Sequence, residues 1–513
     1  MSKYERARRA VQGAALGLLA GLAMVTVQLL LRSFLALASP PELVGDRLAA
    51  AVPVALFGDL IRFAGGYNEL KQLGVISVIV GQVVVATLIG AIAGLAADRR
   101  ARAVVIGAGV ILWFASIVLL WPTLATHFGG LPSPLSPIAT AAGLATSYAT
   151  FVLTLLWLRR QFAIVATGRA SPVPAPARPI GRRVVLASGL GLGLLATSGT
   201  LLERLRAKAT FSYDGLRVDG PEIGPITPND RFYVVTKNIV DPDVIAGLWR
   251  IEVGGLVDRP LIYDLDAIES MPAVEQETTL MCISNPIGGG LMSNAIWTGI
   301  PLADLLTASG PRAGAVELLC HAVDGYTDTI PFAKAMEPTT ILAYRMNGDP
   351  LPTRHGFPAR LVIPGMYGEK SLKWVDRLEV VDRDVKGFYE QQGWGPDFVI
   401  PTRSRISGPD LRQPVPAGQP IRLVGQAFGG DRGVSAVEVS LDGGATWAPA
   451  EIDYAGTKLT WALWSFMWTP TGTGEVRLTV RATDGQGELQ SSTGAAIVPQ
   501  GARGLHSIKA TVA

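Results

Sequence analysis

The stretch Met281-Cys282-Ile283-Ser284-Asn285-Pro286-Ile287-Gly288-Gly289-Gly290 places a cysteine on a polar turn that ends in three glycines. A thiolate is a soft donor suited to a soft metal, and glycines remove the side chains that would block a bulky cofactor. A metal site is therefore the leading expectation for Cys282. A lone cysteine is more often a small buried hydrophobe than a ligand, so the surrounding sequence has to decide.

Outward from this turn the chain divides in two. Of its 513 residues, 49% are hydrophobic and 17% charged, which is too long for one domain and too apolar for a wholly soluble protein. The apolar excess falls in residues 1–205. A formal charge of +3 with no basic face gives no support to nucleic-acid binding. Five apolar stretches, 11–37, 74–96, 103–121, 138–158 and 184–202, reach the roughly 20 residues a helix needs to cross a bilayer. The shorter stretch 48–63, interrupted by Pro53 and Asp59, reads as an interfacial helix. Lysine and arginine collect on the cytoplasmic side of short loops. Lys3, Arg6, Arg8 and Arg9 precede the first span, Arg99, Arg100 and Arg102 join the second to the third, and Arg159, Arg160, Arg169, Arg178, Arg182 and Arg183 lie between the fourth and fifth. The opposite loops hold Arg47, Arg62 and Lys71, with Arg32 near the outer end of the first span. An odd number of spans starting inside puts the rest of the chain in the extracytoplasmic space, on a multi-pass anchor surrounded by lipid.

The spans themselves suggest no chemistry. His127 is the only one of four histidines before residue 205, so the spans cannot hold a bis-histidine haem. Gly90 with Gly94, and Gly189 with Gly193, form small-xxx-small faces for helix packing. The proline- and alanine-rich segment 171–178 reads as a stiff linker. Gly181-Arg182-Arg183-Val184-Val185-Leu186 resembles a twin-arginine export signal, which carries folded, cofactor-loaded proteins outward. From these residues alone a positive-inside anchor is the better reading; a cofactor assembled in the cytoplasm reverses that preference.

From about Pro221 short strands, turns and short helices alternate, as in an α+β domain. After the cysteine turn come Asn294-Ala295-Ile296-Trp297-Thr298-Gly299-Ile300-Pro301-Leu302, Asp324-Gly325-Tyr326, Ala343-Tyr344-Arg345-Met346-Asn347-Gly348, His355-Gly356-Phe357-Pro358-Ala359-Arg360, Gly365-Met366-Tyr367-Gly368 and Ser371-Leu372-Lys373-Trp374. In order and wording these blocks resemble the sulfite oxidase family of molybdopterin oxidoreductases, over roughly residues 225–485. The resemblance implies that Cys282 is the thiolate ligand of molybdenum in a molybdenum–molybdopterin cofactor (Moco). It also implies that Arg360 and the turn Ser371-Leu372-Lys373 hold the pterin phosphate, that His355 hydrogen-bonds the pterin, and that Asn229 and Tyr233 line the cofactor. Tyr326, Arg345 and Lys386 are candidates for the substrate mouth.

The architecture expected is thus multi-domain. A transmembrane region of about five helices (1–205) is followed by a linker (206–222), an α+β sulfite-oxidase-like molybdopterin domain (223–400), an immunoglobulin-like β-sandwich (401–500) and a tail (501–513). The sandwich rests on the alternation of Val437, Val439 and Leu441 before the turn Asp442-Gly443-Gly444, and of Val476, Leu478, Val480 and Ala482. Trp461, Trp464 and Trp468 are expected in its core, and it resembles a module that mediates dimers in the family, so a homodimer stays open. Cys282 and Cys320 could pair as a disulfide in an exported domain, but the apolar run 316–320 reads as a buried strand.

The resemblance implies oxygen-atom transfer with molybdenum cycling between Mo(VI) and Mo(IV), as oxidation of a sulfite-like oxyanion or reduction of an S- or N-oxide. The stretch 381–386 lacks the tyrosine expected near an anion pocket, so sulfite is unproven. With no haem module recognised, electrons would pass to a separate haem protein or quinone-linked partner. The rival reading is a non-catalytic membrane receptor or assembly protein that keeps the fold without the metal.

Overall fold

In the computed structural model, residues 2–166 and 182–513 are described. The stretch 171–178, Arg169, Arg178 and Gly181 lie outside the described residues, as do the side chains of Arg182 and Arg183. The chain forms two compact units: one comprises Met1–Ala49, Asp59–Phe211 and Asn238–Asp243, the other Ala50–Gly58, Ser212–Lys237 and Val244–Ala513.

The first unit is helical. Its first helix, Lys3–Leu35, opens on a capping box in which the Ser2 hydroxyl accepts from the Glu5 amide at 3.1 Å and the Ser2 amide donates to the Glu5 carboxylate at 3.0 Å. It packs on Tyr67–Leu95 through glycines. A methyl group at Gly13, Gly17, Gly90 or Gly94 would collide with the backbone of the facing helix, so the two axes approach as only small residues allow. Gly189 and Gly193, expected to pack likewise, meet nothing within 4 Å among the described residues.

Among the described residues four helices, not five, are long and apolar enough to cross a bilayer: Lys3–Leu35, Tyr67–Leu95, Asp98–Thr123 and Ser136–Phe162. The fifth stretch forms the helix Arg182–Ala207, but glycine, serine and threonine dilute it and Glu203, Arg204 and Arg206 close it. The expected interfacial helix over 48–63 is two helices, Pro40–Ala51 and Val54–Ala64. Pro53 separates them, lacking an amide to donate and clashing with the preceding turn.

In the second unit, one sheet runs in the order Leu261–Tyr263, Ile251–Gly255, Val375–Val381, Glu317–Ala322, Thr327–Pro331. It packs with the helix Leu302–Ser309 around Trp249, Ile251, Leu305, Leu318, Cys320 and Leu378. A second sheet is built on the hairpin of Val274–Met281 and Met292–Pro301, whose register runs from Val274 opposite Gly299 to Met281 opposite Met292. Ile341–Met346 and Arg360–Val362 extend it. The hairpin register matters most for function, because pairing stops at Met281 and leaves Cys282 first in the connecting loop.

The sandwich has sheets Arg403–Gly408, Ile421–Phe428, Ala462–Trp468, Glu451–Tyr454 and Ala448–Pro449, Val434–Ser440, Gly474–Asp484, His506–Val512. Three expectations change here. Residues 501–513 are no tail: His506–Val512 pairs with Gly474–Asp484, and Ala510 and Val512 enter the core on alternate positions. Trp464 and Trp468 are in the sandwich core, but Trp461 packs with Met281, Ile283, Met292 and Tyr367, its indole N–H donating to the Pro225 carbonyl at 3.0 Å. The span 206–222 is ordered, with a helical turn at Thr210–Ser212 and bridges Ala209↔Val240 and Leu216↔Val234.

Candidate functional site

The loop after Met281 is held from several sides. The Cys282 amide donates to the Leu291 carbonyl at 3.0 Å, the Asn285 amide to the Cys282 carbonyl at 3.0 Å, and the Asn285 side chain accepts from the Leu291 amide at 3.0 Å. From the first strand of the sandwich, the buried Arg403 guanidinium donates to the carbonyls of Asn285 at 3.1 Å and Pro286 at 2.7 Å. The glycines serve this packing instead of clearing room for a cofactor. Gly288 has φ +74°, and a methyl there would strike His506; one at Gly289 would strike Asn285 and Pro286, and one at Gly290 would strike Val218 and Asp219.

Cys282 is half-buried, with its Sγ 3.0 Å from the Ser284 hydroxyl. Both cysteines are free, Cys320 being fully buried in its strand. Burial, reinforced by the charge of Glu369, pushes the Cys282 thiol up to about 12. A thiolate at this position therefore calls for a cation directly on the sulfur. Among the described residues no group of three or more histidine, cysteine or acidic side chains could hold a metal ion, so a metal on Cys282 would take its other ligands from a cofactor or solvent.

Beside the cysteine lies an aromatic wall. Phe232 stacks on Tyr233 at 5.4 Å between ring centroids and meets Trp297 at 5.6 Å and His355 at 5.4 Å edge-on, and Cys282 and Phe357 pack against the same cluster. His355 Nε2 donates to the Asn229 carbonyl at 2.8 Å, which leaves Nδ1 as the acceptor of the ring. Burial, with Arg360, Lys373 and Arg354 nearby, pushes this histidine down to about 3, so it is neutral at physiological pH. The Asn229 side chain bridges the Met346 carbonyl at 3.2 Å and the Asn347 amide group at 2.8 Å. Burial raises the Tyr233 phenol well above its ordinary range, and it feels the charges of Cys282, Arg360 and Glu369.

Arg360 is 4% exposed and stands 5.0 Å from the Trp297 ring centre. Its guanidinium donates to the carbonyls of His355 at 3.1 Å and Ser371 at 2.9 Å, and burial pushes it down to about 10. A buried guanidinium bonded to carbonyls, with no carboxylate in hydrogen-bonding contact among the described residues, has the chemistry of an anion site. Lys373 Nζ donates to the Arg354 carbonyl at 3.1 Å. The turn between them is tight: Gly356 has φ +115°, and a methyl there would lie 3.1 Å from both Arg360 Cβ and Lys373 Cα. Ser371 and Leu372 contribute through structure. The Ser371 hydroxyl accepts from the Ile363 amide at 3.1 Å, and Leu372 is buried with its carbonyl accepting from the Leu361 amide at 2.8 Å.

Asn229, Tyr233, Cys282, His355, Arg360, Ser371, Leu372 and Lys373 are thus brought into one neighbourhood, whereas the expected substrate mouth is not assembled. Tyr326 is close by, its hydroxyl donating to Asp328 at 2.7 Å and reaching the Glu369 carbonyl at 3.4 Å. Arg345 is half-buried on the strand Ile341–Met346, opposite Thr298 and Pro350, and Lys386 is exposed. A register shift in the strand pairing sets Arg345 opposite Thr298, turned from neighbouring Met346 and Trp297 of the cluster, and Lys386 lies on the loop before Phe388.

Glu369-Lys370 lies between two of the blocks read above, and as a charged pair in sequence it resembles any solvated turn. It is buried instead. Lys370 donates to Asp328 at 2.6 Å, each 2% exposed, and to Glu390 at 3.3 Å. Glu369 has both carboxyl oxygens shut off from solvent.

Residues 238–389 match the oxidoreductase molybdopterin binding domain, and residues 397–498 the Mo-co oxidoreductase dimerisation domain. Human mitochondrial sulfite oxidase is 33% identical over 321 residues, covering 53% of this chain and 58% of that protein. Sulfite oxidase of Gallus gallus is 32% identical over 323 residues, 53% of this chain and 69% of that protein. A nitrate reductase [NADH] of Ulva prolifera is 31% identical over 323 residues, 51% of this chain and 37% of that protein. The chain therefore spans less than two thirds of the length of most of these relatives. In fold it resembles the crystal structure of the sulfane dehydrogenase SoxCD from Paracoccus pantotrophus, with a TM-score of 0.50 and 24% identity over 56% of this chain and 81% of that one. Two adjoining domain matches in the family order, and a third of the positions shared with sulfite oxidases over more than 300 residues, lead to one conclusion: the chain belongs to the sulfite oxidase family of molybdopterin-dependent oxidoreductases, whose cofactor is molybdenum-bound molybdopterin.

Proposed function

We propose that the chain is a membrane-anchored molybdenum enzyme of oxygen-atom transfer that would hold its metal through Cys282 and exchange electrons with a separate haem protein or quinone-linked partner. One observation carries this reading: a thiol that needs a cation and a buried guanidinium bonded only to carbonyls share one aromatic-walled site. The residues fit the family's cofactor, with Cys282 for the metal, and Arg360 and Lys373 for the phosphate, Asn229, Tyr233 and His355 lining the pterin. When bound, the cofactor supplies an oxygen-transfer centre that accepts or releases two electrons. Overall, sulfite and water would give sulfate, two protons and two electrons; in the other sense a sulfoxide would take two electrons and two protons and leave as sulfide and water. The protein's own part is orientation. Arg403 and Asn285 fix the loop that aims Cys282, neutral His355 offers Nδ1 as an acceptor, and Phe232, Trp297 and Phe357 exclude water from the thiolate.

For the anchor, four apolar helices are candidate crossings; an extracytoplasmic catalytic domain needs one more, and the less apolar helix Arg182–Ala207 is the segment proposed for it. The outward residues Ile76, Val80, Val84, Leu88 and Ile92 support lipid contact, since so long an exposed apolar stripe would aggregate in water. The match of 397–498 to a dimerisation domain supports a homodimer. Metal analysis of the purified protein tests the reading. Near-stoichiometric molybdenum is expected, falling in Cys282→Ser without loss of fold, and wild-type protein lacking molybdenum refutes it. A C-terminal reporter active only in the cytoplasm would refute the fifth crossing.

A further inference from the structure

Residues 227–233 form a short loop whose two ends return to one strand. The Thr227 amide donates to the Asn294 carbonyl at 2.8 Å, and at the other end the Tyr233 amide donates to the Ser293 hydroxyl at 3.0 Å. Adjacent residues of Met292–Pro301 thus hold both feet, the arrangement of a compact Ω-like loop. Between the feet Pro228, Asp230 and Arg231 are exposed, while Phe232 and Tyr233 turn inward onto the aromatic wall that Cys282 joins. The Arg231 and Phe232 amides donate to the Pro228 carbonyl at 3.0 and 2.9 Å, so the crest is a closed turn that moves as one piece.

The crest is fastened at Asn229 and Asp230. His355 donates to the Asn229 carbonyl and Asn347 to the Asn229 side-chain oxygen, each at 2.8 Å. Arg354 reaches further out: its guanidinium donates to the Asp230 carbonyl at 2.5 Å and meets the Asn229 carbonyl at 3.4 Å, with the Tyr213 ring centre 5.7 Å away. Its own carbonyl accepts from Lys373. Arg354 and Arg360 each bond two carbonyls, but to different ends. Arg360 is buried and closes the His355–Ser371 turn on itself, whereas Arg354 is half-buried and closes that turn onto the loop. Arg354 brings a charged donor where His355 and Asn347 bring neutral ones, and charge-assisted bonds are roughly twice as strong. A bulky cofactor held beside Cys282 needs a way in and out. A loop with two fixed feet can open at its crest without breaking the sheet behind it.

We propose that the loop 227–233 is the door through which the cofactor enters and leaves, and that Arg354 is the positioning residue that latches it. The latch rests on the reading of Cys282, Arg360 and Lys373 as the cofactor's site. Hydrogen exchange by mass spectrometry on the full-length, molybdenum-loaded protein in detergent follows the loop, and metal analysis after repeated gel filtration follows the cofactor. In wild type the loop should exchange about tenfold or more faster than the strand Met292–Pro301 that holds its feet. Arg354→Met should speed both loop exchange and molybdenum loss about tenfold, with exchange of that strand unaltered, a separation that a merely structural role would not produce. Arg354→Lys keeps a charged donor and should stay within about threefold of wild type. Unaltered loop exchange or molybdenum loss in Arg354→Met, faster exchange spreading to the strand, or Arg354→Lys as leaky as Arg354→Met each overturns the proposal. So does a wild-type loop that exchanges no faster than the strand, a comparison that decides even if a variant fails to fold. Wild-type protein without molybdenum would instead overturn the metal-site reading, and the exchange comparisons would still decide the latch.

Discussion

Arg403 ties the sandwich to the loop that carries Cys282, and replacing it with methionine measures how much that tie matters. The side chain is 7% exposed and donates to the carbonyls of Asn285 and Pro286 at 3.1 and 2.7 Å. Hydrogen bonds from a charged donor contribute about 1.5–3 kcal/mol each, and Arg403→Met strands two carbonyls at once, giving a gross loss of about 3–6 kcal/mol. Against this, burial already disfavours the guanidinium, and Arg405 lies close enough to repel it. Removing a partly desolvated cation recovers some of that, so a net destabilisation of about 2–4 kcal/mol is expected. At about 2–4 °C per kcal/mol for a domain of this size, Tm should fall by about 4–16 °C. The second readout is molybdenum per protein, which should drop because the loop no longer fixes Cys282. Arg403→Lys should lie between, since one ammonium cannot span both carbonyls as the planar fork does. Melting in detergent with metal analysis of the same samples checks both. If Arg403→Met melted within about 1 °C of wild type with full molybdenum, the argument that the sandwich tethers the loop would be wrong.

Two further outcomes follow from the same geometry. Arg360→Lys keeps the charge but cannot reach the His355 and Ser371 carbonyls and still present a fork to a phosphate. The loss of one charge-assisted bond, about 1.5–3 kcal/mol, should lower pterin content about tenfold or more, read as fluorescence of the released and oxidised pterin; equal content would remove Arg360 from the phosphate site. His506 Nδ1 accepts from the Ile406 amide at 3.0 Å, and burial with Arg405 and Arg403 nearby pushes this histidine down from 6.5 to about 4. The folded state then binds fewer protons than the unfolded between those values, so the contribution is complete above pH 6.5 and is lost as pH falls toward 4, by about 3 kcal/mol at most. Tm should fall less steeply between pH 7 and 5 in His506→Gln than in wild type, and parallel slopes would contradict it.

Legibility followed the range over which each interaction acts. The period-2 runs of the sandwich and the apolar helices were readable because local pattern specifies them, whereas the block carrying His355, Arg360 and Lys373 was read through its resemblance to the family. The strand His506–Val512 was missed because its apolar positions, Ile508, Ala510 and Val512, are weak until opposed by Gly474–Asp484. Trp461 shows the same limit, since the residues it covers, from Val218 to Tyr367, are distant in sequence. The glycines after Cys282 were recognised as a demand for space, but only the folded chain reveals that His506 and Asp219 fill it.

From its sequence alone, the chain was readable as a member of the sulfite oxidase family, since its blocks keep the family's order and wording, and that resemblance implied that a thiol on a turn, a histidine and a set of cations serve one cofactor. Only the tertiary structure decided that Arg345 and Lys386 stand apart, that Lys370 is buried against Asp328 and that the Glu369 carboxyl is closed to solvent. The physical reason is burial. A Glu-Lys pair in a sequence has the same appearance on a wet surface as in a dry interior, and its desolvation is a property of the packed fold.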